Sequence, residues 1–117
     1  MRTLGSVVAE TISRESWDGT ETVSDVLFVD MGSATGPVVT RVADRLRSKG
    51  WHTTGSDLPK WEAMRLSGNA ELEVSINAMG DYIWDDMQDP QMGDVVRSVR
   101  QRFAPQNVAV VVITQSR

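Results

Sequence analysis

Apolar positions are patterned most clearly in the middle of the chain, over Val26 to Gly50. Val26–Met31 is a short apolar run bounded by Asp25 and Gly32, which predicts a buried strand. Gly36-Pro37 then opens a helix, with Pro37 at the first helical position where its missing N–H is no loss. Val39, Val42, Ala43 and Leu46 form one stripe, and Arg41, Asp44, Arg45 and Ser48 face away. Lys49 suits the negative helix end, and Gly50 supplies a left-handed cap.

The flanks are patterned less decisively. Leu4, Val7, Val8 and Ile12 stand three or four apart, which predicts a helix over residues 3–17, with a strand as the competing reading. Trp17-Asp18-Gly19-Thr20 is a turn signal, and polar residues continue to Asp25. After the helix, Trp51–Thr54 is β-prone, and Gly55 to Pro59 interrupts it. Lys60–Leu66 fits either a short helix started by Pro59 or more strand. Beyond a turn at residues 67–69, Leu72, Val74, Ile76 and Ala78 alternate with polar residues, as in a strand with one wet face. Asp89 and Pro90 start a second helix carrying Met92, Val95, Val96, Val99 and Phe103 on one face, and Pro105 stops it. Val108–Ile113 is an all-apolar strand.

Leaving the first segment aside, the order is β-α-β-β-α-β. It predicts a single α+β domain over residues 1–117, a ferredoxin-like sandwich. Its four-stranded antiparallel sheet carries both helices on one face, with an extra N-terminal helix. A three-layer α/β sheet is the alternative.

Composition narrows the function classes. With 117 residues, 40% hydrophobic and 24% charged, the chain can bury one ordinary core. It has no cysteine, which removes disulfides and thiolate chemistry. A net charge of −4 argues against general nucleic-acid binding. Glu10 falls too early for a signal peptide, and no window approaches the roughly 20 apolar residues of a membrane span, so a cytoplasmic protein without membrane contact is expected. Of the 12 basic residues only Lys49 and Lys60 are lysine, a bias of GC-rich coding that suits a bacterial or phage source.

Candidate chemistry begins at the turn before the first helix. Gly32, Ser33, Thr35 and Gly36 lie at a helix N-terminus, where free N–H groups favour an anion, and Asp30 ends the preceding strand. Neither GxxxxGK[ST] nor GxGxxG is present. The stretch VDMGSATG resembles the first phosphate loop of the actin and sugar-kinase superfamily. It is also similar to an Asp-Leu-Gly-Ser-Ala stretch of mannose-type phosphotransferase domains. Each resemblance covers under ten residues, the kinase-type fold needs far more chain, and the phosphotransferase histidine has no counterpart, so neither family is assigned. The same glycines and hydroxyls suit a capped strand-to-helix connection.

His52 is the single histidine, so one chain cannot form a histidine metal cluster, and no GxSxG elbow supports a serine triad. No catalytic residue, metal site or cofactor is assigned. The stretch from Leu66 to Val96 lacks Lys and Arg and interleaves acids with aromatics in GDYIWDDMQDPQMGD. Tryptophan is enriched at binding hot spots, and all four tryptophans fall at element ends or connections. Trp61, Tyr82, Trp84, Asp85, Asp86 and Met87 are therefore the expected partner-binding residues. They point to a small non-enzymatic interaction module that binds a protein or itself. The alternatives are a phosphate- or nucleotide-binding domain at Gly32–Gly36, and an acidic mimic of nucleic acid that blocks a DNA-binding protein.

Overall fold

Residues 6–17, 20–32, 37–58, 60–66, 68–81 and 90–115 are described by a computed structural model. Strand β1 (Ser6–Trp17) occupies the stretch whose spacing predicted a helix. It pairs antiparallel with β2 (Thr20–Asp30), and the register slips between Val7 and Ala9. This bulge accounts for the misleading spacing. Val7 packs toward one face of the sheet, whereas Val8 and Ala9 both pack toward the other, so the apolar positions do not simply alternate.

The predicted middle unit follows. Helix α1 (Val38–Arg47) buries Val38, Val39, Val42, Ala43 and Leu46. Pro37 is its N-cap residue, one place earlier than predicted, and no side chain caps it. Past its end, Gly50 takes a φ of +97°, the left-handed conformation that glycine adopts without strain. Strand β3 (Trp51–Asp57) and β4 (Trp61–Leu66) form a hairpin, so Lys60–Leu66 resolves as strand rather than helix. Strand β5 (Asn69–Ala78), helix α2 (Pro90–Arg102) and β6 (Val108–Gln115) complete the order.

The strands form one six-stranded sheet in the order β1-β2-β6-β5-β4-β3, and every neighbouring pair is antiparallel. This overturns the four-stranded ferredoxin-like prediction, because both ambiguous segments, 6–17 and 61–66, became strands. The helices also lie on opposite faces. Leu27, Val29, Ala109 and Val111 join α1 in one core, while Val26, Phe28, Val108 and Val110 join α2 in the other. Consecutive residues of β2 and β6 thus serve different cores, which is why both strands read as unbroken apolar runs. Burying each valine, leucine or phenylalanine among them contributes about 1.5–3 kcal/mol. The three-layer α/β alternative fails as well, since a helix on each face here covers a wholly antiparallel sheet.

The connections decide what is left open. Helix α1 carries the chain from β2, second in the sheet, to β3 at the far edge, and so lies across the β3–β6 part of its face. Helix α2 links the adjacent strands β5 and β6 yet packs toward β1 on the other face. The methionine after β2 closes the near end of the sheet: its N–H donates to the Asn107 carbonyl at 2.8 Å. No helix among the described residues is long and apolar enough to cross a membrane.

Candidate functional site

On the α2 face, the second core takes Val26, Phe28, Val108 and Val110 from β2 and β6, but nothing from β3 or β4. Among the described residues, the β3–β4–β5 part of that face has no helix over it. Pairing register sets its rows. Asn77, Trp61 and Asp57 are consecutive across β5, β4 and β3, followed by Ser75, Ala63 and Gly55, then Glu73, Arg65 and His52. The last row continues across β6 to Thr114 and across β2 to Ser24, whose hydroxyls share a 2.7 Å hydrogen bond.

Trp61 is the largest side chain on this surface. It is 37% exposed, and its six-membered ring lies over Gly55, where an added Cβ would meet Cη2 at 3.6 Å and Cζ3 at 3.7 Å. The absent side chain at Gly55 therefore gives the indole a flat seat on its neighbour strand. Leu58, in the turn between β3 and β4, is 49% exposed beside it in sequence. Arg65 and Glu73 pair across β4 and β5 at 3.3 Å, half in solvent, and Asn77 donates to Ser75 Oγ at 3.2 Å. The surface is an aromatic anchor beside small residues, rimmed by a paired charge and amides. Such an arrangement matches the apolar centre and polar rim of protein interfaces.

Of the expected partner-binding residues, Trp61 is placed here. Tyr82, Trp84, Asp85, Asp86 and Met87 lie outside the described residues. Trp51, by contrast, is buried under α1 and serves the core. Residue reading missed Arg65, Ala63 and Gly55. The alternation through Glu73, Ser75 and Asn77 did announce a wet face, but only the sheet order put β4 beside it.

The described part of the turn before α1 uses its polar groups internally. Asp30 Oδ1 accepts the Gly32 N–H at 3.0 Å, and Gly32 has a φ of +72°. Arg41 reaches back from α1 and donates to the carbonyls of Met31 at 2.5 Å and Gly32 at 3.3 Å. The described N–H and the nearby guanidinium thus bond the protein's own oxygens. Ser33, Thr35 and Gly36 lie outside the described residues. His52 is exposed on edge strand β3. Among the described residues, no three His, Asp or Glu side chains gather as a metal site.

No family model, curated protein or solved structure matches this chain.

Proposed function

We propose that the chain is a small cytoplasmic protein-interaction module that binds a protein partner through the uncovered β3–β4–β5 surface, with Trp61 as its anchor. The observation that carries this reading is a partly exposed indole seated on Gly55, on a part of the sheet face that no helix among the described residues covers. A fitting partner offers an apolar recess for Trp61 and Leu58, with polar groups at its rim for Arg65, Glu73 and Asn77. Of the residues of the anion-binding alternative only Gly32 is described, and its N–H bonds Asp30 while Arg41 bonds the Met31 and Gly32 carbonyls.

The test compares tagged wild type with Trp61→Ala and Ala63→Arg, recovered from the native host and quantified by mass spectrometry. Wild type should retain a protein that both variants lose by about tenfold or more, the size of a hot-spot truncation. Circular dichroism should be unchanged, since Trp61 is partly exposed and Ala63 only partly buried. Equal recovery of every protein by all three chains would refute the assignment. Partner binding that collapses with salt but ignores Trp61 would favour the acidic-mimic alternative instead.

A further inference from the structure

We propose that the outer edge of β1 is a homodimer interface. A second copy pairs its own β1 antiparallel along it, about a two-fold axis at Ile12, and the two sheets become one. The proposal concerns the opposite edge from Trp61 and does not rest on that reading.

Strand β1 ends the sheet order, and no described segment pairs with its outer side. An edge presents a row of unpaired N–H and C=O groups, a template for another strand. Of the two edges, β1 is the better template. It has 12 residues, and its pairing runs regularly from Ala9 to Trp17. Strand β3 has seven residues and a bulge between Thr53 and Gly55, a feature that discourages edge pairing.

The apolar surface lies where such a dimer needs it. Ile12 is 46% exposed on β1, and Val23 of β2, two pairs further along, is 45% exposed. Both share the face of Leu27 and Val29, but neither belongs to the core under α1, which takes Leu27, Val29 and Met31, with Val7 packed against it, from this side of the sheet. Around the axis, Ile12 would meet Ile12 of the second copy, with each Val23 one strand in from the joint.

Charge fixes the register. Antiparallel self-pairing about Ile12 places every residue opposite the one equally far on the other side. Glu10 then stands opposite Arg14 of the second copy, and two-fold symmetry makes the pair occur twice. Moving the axis to Thr11 sets Glu10 against Ile12; moving it to Ser13 sets Arg14 against Ile12. Either shift loses both opposite-charge pairs. An edge guarded only against association gains nothing from opposite charges placed symmetrically about an exposed isoleucine.

Sedimentation velocity on the full chain, with circular dichroism to confirm folding, tests both the interface and its register. Wild type should dimerise at about 100 µM or below. Glu10→Arg places Arg opposite Arg, and Arg14→Glu places Glu opposite Glu, so each variant alone should associate about tenfold more weakly. Mixed one to one, the two variants should form heterodimers as tight as wild type, visible by native mass spectrometry, because each cross-pair is again opposite in sign. Trp61→Ala should dimerise like wild type. A monomeric wild type at that concentration would overturn the proposal. Single variants that dimerise undiminished would overturn it too, as would a mixture that associates no better than its components.

Discussion

Phe28→Ala should lower the folding free energy by about 3–5 kcal/mol, the range for removing a buried aromatic ring. Phe28 is fully buried near the C-terminal end of β2. Across the pairing it stands between Ala9 of β1 and Val110 of β6, and above it α2 contributes Met92, Val96 and Val99 to the same core. Ala9 is too small to refill the space, and the β-branched valines have few rotamers with which to move in. Only Met79 and Met92 are flexible enough to shift, so the upper half of the range is favoured if they stay in place. Urea unfolding followed by circular dichroism measures the change from the midpoint at constant slope. A loss below about 1.5 kcal/mol would mean that this core collapses around the gap and is packed less tightly than its burial indicates.

The second large effect is expected where a charge is buried. Glu62 on β4 is 1% exposed, on the α1 face beside Met64. Its Oε2 accepts from Arg47 Nη2 at 2.5 Å and from Thr53 Oγ1 at 2.9 Å. Arg47 sits in the last turn of α1 and also pairs with Asp44 at 2.6 Å. This cluster ties the end of the crossover helix to the β3–β4 hairpin. Arg47→Met strands the carboxylate with Thr53 as its remaining partner in this cluster, which should cost about 2–3 kcal/mol. The figure sits below the usual range for a broken buried pair because the Arg47 side chain is itself 41% exposed. Glu62→Gln should be milder, since an amide oxygen still accepts both bonds. Arg47→Met combined with Glu62→Met removes both charges and should return to within about 1 kcal/mol of wild type. A double-mutant cycle in urea provides the comparison; a coupling near zero would show that solvent already screens the pair.

How much of this was legible depends on whether a residue's role is set by near neighbours. The β2–α1 unit was legible because its signals are local: an apolar run, a proline start, a helical stripe and a glycine that takes a positive φ at residue 50. The wet face of β5 was legible from strict alternation. Residues 6–17 were misread because a bulge between Val7 and Ala9 breaks the alternation and leaves intervals close to those of a helix. Lys60–Leu66 stayed ambiguous because its side chains serve two purposes. Met64 and Glu62 point into the α1 side, while Trp61 stands on the open face.

The candidate surface was legible only in part. Tryptophan at an element end marked Trp61 and Trp51 alike, yet one is half in solvent and the other is core. The difference comes from which face each occupies and which helix crosses that face. Neither is written in the residues around them.

What the sequence determined by itself was the set of strong local elements; the apolar runs of β2 and β6 were legible as buried strands, but the expected sheet had both helices on one face. Four consecutive apolar residues in a strand, as at Val26–Val29 and Val108–Val111, require cover on both faces. Only the tertiary structure decided that α1 and α2 supply that cover from opposite sides. It also decided that they lie over different parts of the sheet, because a helical stripe specifies burial without specifying against which strands. Among the described residues, six strands and two helices then leave part of each face and the long β1 edge without a helix or strand over them. The arithmetic of area, more than any motif, fixes where this protein has surface to offer.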